Sequence, residues 1–102
     1  MKFEPIITDL DELSNSVVDA VDARNYDQAE KICQRLLREY PEVTDGHHRL
    51  GELREAQGRF EEAARHYTKV LEMINQQPEE FDQESIVYHT QCRDEALAKA
   101  KK

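Results

Sequence analysis

The residues of this 102-residue chain with chemical potential are four histidines, His47, His48, His66 and His89, two cysteines, Cys33 and Cys92, and a surplus of carboxylates. A metal draws several ligands to about 2 Å from one point. Adjacent His47 and His48 project about 100° apart on a helix and do not converge on one ion, so no metal site is expected. The cysteines are far apart in sequence with no second thiol nearby, and read as reduced packing residues. No glycine-rich loop cradles a phosphate, no His and Glu stand paired at metal spacing, and no nucleophile has an evident base. Neither catalytic residues nor a cofactor are expected, and the chain is read as no enzyme. The remaining chemistry is recognition by charge and shape.

Composition narrows the partner. The 14 Lys and Arg against 22 Asp and Glu give a net charge of −8, which repels phosphates and disfavours nucleic acid. A charged partner should be basic. At 38% hydrophobic and 35% charged residues, the chain suits one polar, globular domain. No segment reaches the roughly 20 apolar residues of a membrane span, and Met1 to Pro5 hold no apolar run for a signal sequence. No membrane contact is expected, and the location expected is cytoplasmic.

The elements that must position these groups come from a repeat. Arg24 to Pro41 returns 34 residues later as Gly58 to Asn75, with Tyr26 on Phe60, Ala29 on Ala63, Cys33 on Tyr67, Leu36 on Val70 and Leu37 on Leu71. Such a period marks units that must stack to bury their apolar faces. Residues 1 to 8 read as a tail. Asp9 and Glu12 form a capping-box pattern, so a first helix runs from near Leu10 to near Ala23, with Leu10, Leu13, Val17, Ala20 and Val21 on one face. Arg24-Asn25 turns the chain, Asn tolerating left-handed backbone. A second helix starts at Tyr26 and stops at Pro41. Thr44 is the expected N-cap of a third helix ending near Gln57, and Gly58 supplies the next turn. The fourth, carrying Phe60, Ala63, Ala64, Tyr67, Val70, Leu71 and Ile74, stops before Pro78. A last helix over about 84–101 places Ile86, Val87, Tyr88, Cys92, Ala96 and Leu97 as its apolar set.

At Leu50-Gly51, Gly58-Arg59-Phe60-Glu61-Glu62-Ala63 and Tyr67, with Tyr26, Ala29 and Pro41 in the first copy, the chain resembles the tetratricopeptide repeats. It departs where a large aromatic is usual, at Leu13 and His47, and where the Leu-Gly pair has become Ser16-Val17. The resemblance implies an all-α fold, a right-handed stack of antiparallel helix pairs (an α-solenoid) with about five helices. One domain then spans 9–102, with repeat 1 at 10–43, repeat 2 at 44–77 and a capping helix. The structural positions are Ala29, Pro41, Leu50, Gly51, Gly58, Phe60, Ala63 and Tyr67. The small ones let helix backbones pack about 8–10 Å apart.

The resemblance further implies that the first helix of each repeat lines a concave groove for a peptide or helix. Its residues would be Asp11, Ser14, Asn15, Val18 and Asp22, then Asp45, His48, Arg49, Glu52 and Glu55, with the last helix adding some of Val87, Gln91 and Asp94. The carboxylate clamp known in the family is not expected, because Ser14, Val18 and Arg49 stand where Lys, Asn and Asn would. The reading is a non-catalytic adaptor or small chaperone-like protein whose acids either attract a basic or amphipathic segment or only solvate the surface. His48 in the groove would make binding pH-dependent, and His47 belongs inside a helix pair. The alternative is a homodimer through exposed repeat ends, with Val43, Met73, Ile74, Phe81 and Tyr88 as contacts, since fewer than three repeats are marginal alone.

Overall fold

Each apolar stripe becomes one face of a helix. A computed structural model describes residues 10–77 and 83–101, and these form α1 (Leu10–Asp22), α2 (Tyr26–Glu39), α3 (Asp45–Ala56), α4 (Phe60–Gln76) and α5 (Gln83–Ala100). There is no strand among the described residues. The tail, the Asp9 capping box, Pro78, Phe81 and Lys102 lie outside them. Short connections fold successive helices back on each other: α1 packs on α2 and α3, α2 on α3, α3 on α4, and α4 on α5. The protein is therefore the all-α stack of helix pairs that the repeat predicts.

The two intra-repeat turns are built alike. Arg24 N–H donates to Val21 O and Asn25 N–H to Ala20 O at 2.9 and 2.8 Å; 34 residues on, Gly58 N–H donates to Glu55 O and Arg59 N–H to Arg54 O at 3.0 and 2.8 Å. Both are Schellman motifs, which need a left-handed residue just past the helix. Gly58 takes that conformation at φ 77°, and Arg24 takes it at φ 60°. Asn25, expected to be the left-handed residue, is instead the N-cap of α2, its side chain accepting Gln28 N–H at 3.4 Å. Thr44 heads α3 but makes no side-chain cap bond. Its φ −77° and ψ −14° are already helical, whereas a capping side chain needs extended backbone to reach the next turn.

Two clusters form the core. Leu13, Val17, Ala20, Ala29, Cys33, Leu36, Leu50 and Leu53 join α1, α2 and α3. Ala63, Ala64, Tyr67 and Ala96, with Cys92 against them, join α4 and α5. Gly51 is where α3 meets Tyr67: a Cβ there would collide with the Tyr67 ring, within 2.8 Å of both Cδ1 and Cζ. The small residue thus makes room for a ring. The first repeat fills the same two places with Val17 and Cys33, both fully buried in one cluster, so a glycine under a tyrosine is exchanged for two side chains of middling size.

The last helix differs from expectation. Ser85, His89, Cys92 and Ala96, spaced four, three and four, make its inward stripe, with Ala96 fully buried. Val87, Tyr88 and Leu97, placed in the apolar set by type, are 47%, 49% and 41% exposed. Lys99 lies with its Nζ 5.7 Å from the Phe60 ring centroid, fastening the end of α5 to the start of α4 by a cation–π contact.

The exchange of volumes is testable. Cys33→Tyr should cost about 3 kcal/mol by overpacking, and adding Val17→Gly should recover at least half of it. A double-mutant cycle by urea unfolding measures the coupling, expected above about 1 kcal/mol; additive costs would show that the two side chains do not share one space.

Candidate functional site

Ten residues were expected to line a groove, and the helices divide them into a floor and a rim. Ser14 belongs to the floor. It is 3% exposed and accepts a hydrogen bond from Arg49 Nε at 2.7 Å, so it ties α1 to α3 instead of facing a partner. Its burial follows from α1 packing on both α2 and α3, which widens the buried arc beyond the Leu13–Val17–Ala20 line. Arg49 also donates from Nη1 to Glu52 Oε1 at 2.6 Å. His48 Nε2 is 3.5 Å from the other Glu52 oxygen. Ser14, Arg49, Glu52 and His48 therefore form one polar seam.

Around that seam, Val18, Val21, Asp22 and Glu52 enclose a small hollow of about 140 Å³ between α1 and α3. Asp11, Asn15 and Asp22 are exposed along α1, and Asp45 and Glu55 are half-buried on α3. Glu55 accepts the Tyr67 hydroxyl hydrogen at 3.1 Å. At the α5 end, Val87, Gln91 and Asp94 are exposed; Val87 and Gln91 join Gln83, Glu84 and Tyr88 around a shallow hollow of about 280 Å³.

The histidines form two cross-helix pairs. His47 reaches α4, its Nδ1 3.4 Å from His66 Nδ1 with the rings stacked at 5.6 Å. His48 reaches α5, its ring centroid 5.1 Å from His89 and 5.8 Å from Tyr88, with Tyr67 of α4 at 5.9 Å. The 100° between neighbours, which separates them as metal ligands, lets one dipeptide touch two helices. Among the described residues no group of three or more His, Cys, Asp or Glu is placed to hold a metal ion.

On the opposite side of α3, Arg54 joins three helices. It donates to Glu30 of α2 at 2.7 Å and lies 3.3 Å from a Glu62 carboxylate oxygen of α4. Sequence reasoning missed this clasp; the spacing of Glu30, Arg54 and Glu62 over 32 residues carries no local signal.

Electrostatics follows the contacts. The Arg54 hydrogen bond holds the Glu30 carboxyl below its usual range. Burial pushes Glu52 up, but bonds from His48 and Arg49 outweigh it and the carboxyl is held low. His47, His66 and His89 are all held below the usual imidazole range, in each case chiefly by burial. Burial pushes the Cys33 thiol up to about 12, which leaves it a neutral packing group, and raises the Cys92 thiol too.

A family model described as tetratricopeptide repeat matches residues 16–78, from within α1 to just past α4. The chain belongs to the tetratricopeptide repeat family. No curated protein matches it. Tetratricopeptide repeats generally mediate protein–protein interaction and are typically non-catalytic, which agrees with a face made of carboxylates and capped arginines. No helix among the described residues is long and apolar enough to cross a membrane.

The depressed histidines set a sign for acid stability. His47, His66 and His89 bind protons more readily when unfolded, at about pH 6.5. Their neutral pairing is thus undamaged above that pH, and stability falls as pH drops below it toward the folded values. Each such group adds at most about 1.4 kcal/mol per pH unit. Glu30 and Glu52 act in the same direction further down, losing their stabilisation as pH falls through their lowered values. The urea midpoint should drop between pH 7 and pH 5, and His66→Gln should make the drop shallower; an unchanged midpoint would contradict the buried pairing.

Proposed function

We propose that this chain is a non-catalytic protein-interaction module that takes a basic or amphipathic helical segment along the face formed by α1, α3 and the start of α5. The observation that carries this is the segregation of charge. Together α1 and α3 bear seven carboxylates and two arginines, while α2 and α4 bear six carboxylates and five bases. Both arginines of the first group, Arg49 and Arg54, are held in ion pairs. On α1 there is no base at all. An unbalanced acidic face next to a nearly balanced one attracts a cationic segment and orients it on approach.

Apolar contact completes the fit. Val18 on α1 and Val87 and Tyr88 on α5 lie among the acids, the arrangement an amphipathic helix needs for its two faces. An adaptor or chaperone-like role is the natural use of such a face, since it reads a type of segment and not a catalytic substrate.

Binding of a labelled Leu/Lys amphipathic helical peptide, followed by fluorescence anisotropy, tests the reading. Affinity should fall about tenfold or more between roughly 50 and 500 mM salt, as screening shortens from about 14 to 4 Å. Asp11→Lys with Asp22→Lys, both at exposed positions, should weaken binding at low salt by about tenfold. Binding that ignores both salt and these substitutions would reject the electrostatic face.

A second reading, self-pairing, is favoured by the exposed Val87, Tyr88 and Leu97 of α5. Of the contacts expected from sequence, Ile74 is excluded because it is 2% exposed in the core, Val43 and Met73 are half-buried, and Phe81 lies outside the described residues. Light scattering over a concentration series decides: a mass rising toward twice 11.9 kDa supports it, and a constant monomer rejects it.

A further inference from the structure

The junction of α3 with α5 holds more than the packing of a terminal helix requires. Tyr88 presents a half-exposed ring beside the imidazoles of His48 and His89, whose own centroids are 5.1 Å apart, as are those of Tyr88 and His89. We propose that this junction is a subsite for one lysine or arginine side chain of the bound segment, seated on the Tyr88 ring, and that protons taken up by His48 and His89 compete with it. The proposal rests on the acidic-face reading above and names both the chemistry of the contact and its control.

The groups facing the junction support a cation. From α3 come Asp45, Glu52, Glu55 and Arg49; from α4 the buried ring of Tyr67; from α5 Glu84, Cys92, Tyr88 and His89. Four carboxylates stand against one guanidinium, and that guanidinium is already committed to Ser14 and Glu52. The excess is three negative charges. A ring face flanked by such an excess is where a cation gains most, from the ring quadrupole and from the surrounding field together. Tyr88 keeps its proton, since burial and the Cys92 and Glu52 neighbours push its phenol up to about 12, so the ring brings no charge of its own.

The imidazoles give the site its second property. With both neutral, they are polarisable walls. His89 Nδ1 lies 2.8 Å from Ser85 O, so a proton on Nδ1 is donated there and the second ring nitrogen holds a lone pair. His48 Nδ1 is buried with no partner, which suits a bare lone pair when the Nε2 proton faces Glu52. Imidazoles acquire charge below about pH 6.5. Two protons would cut the negative excess from three to one and place two cations within 5.1 Å of each other, next to the site where the partner's cation must sit. The His47–His66 pair lies apart, with Lys69, Arg54, Glu62 and Glu30 as its charged neighbours, and affects stability without facing the junction.

The test uses the full chain and the labelled Leu/Lys peptide at constant ionic strength, with folding of each variant confirmed by circular dichroism at both pH values. The affinity should drop at least fivefold from pH 7.5 to pH 5.5, and H48Q/H89Q should reduce that drop to less than twofold. At pH 7.5, Tyr88→Leu should bind at least fivefold more weakly, while Tyr88→Phe, which keeps the ring face, should retain the affinity. A peptide that binds with a pH response unchanged by H48Q/H89Q, or that binds Tyr88→Leu as tightly as the unaltered protein, overturns the subsite and leaves the acidic face intact. No binding of the peptide to any form removes the acidic-face reading, and the subsite with it. Tyr88→Leu changes a half-exposed side chain, so its result does not depend on the buried histidine variants folding.

Discussion

The seat of Tyr67 on Gly51 is the contact on which the stack depends. Tyr67 is 1% exposed and lies in the cluster that joins α4 to α5. Its ring is pressed against the one position of α3 without a side chain. Its hydroxyl reaches Glu55 on the same helix, and its ring touches His48. One residue thereby fixes the distance between the two helices of the repeat, supplies the floor on which the last helix rests, and borders the polar seam. A core packed like a crystal passes a displacement at such a point to every neighbour, so a shift of this ring would move His48 and, through it, the edge of the interaction face.

Charge is arranged around this packing in two ways. Arginines that approach the core are neutralised on the spot: Arg54 between Glu30 and Glu62, Arg49 between Ser14 and Glu52. Half-buried charges left alone would be costly to desolvate, and these pairs avoid that cost. Carboxylates at the rim are left in excess, where water makes them cheap to keep and salt can screen them. The same chain therefore uses ion pairs to join helices and unbalanced acids to address a partner.

How far the fold can be read from the chain varies by element. The helices of the two repeats are legible because their apolar residues recur every three or four positions and then again after 34. That offset also explains two residues that look irregular alone. Arg24 is a poor choice for left-handed backbone, yet it occupies the place of Gly58 and keeps the same pair of turn hydrogen bonds. Val17 and Cys33 look like lapses from the Gly51 and Tyr67 pattern, but they exchange volume with each other. The inward stripe of α5 was hidden because Ser85 and His89 are polar by type, while Val87 and Leu97 are apolar by type and remain outside. Ser14 was read as part of the binding face because a hydroxyl on a charged helix gives no sign of the arginine 35 residues away that covers it.

The two repeats have diverged unequally across their own length, and the physical reason bears on function. A packing position tolerates change only when its neighbour changes with it, as at Val17 and Cys33, so buried pairs alter jointly or not at all. A rim position meets water and has no such partner. Asn15 has become Arg49 and Val18 has become Glu52 at 34-residue offsets, changes of charge that the helix backbone does not register. Ser14 has become His48, which turns a small hydroxyl on the floor of repeat 1 into the aromatic link from α3 to α5. The substitutions that give this face its charge, its rings and its histidines thus fall where the stack can absorb them, and the common scaffold leaves the choice of partner to the first helices and the start of the last.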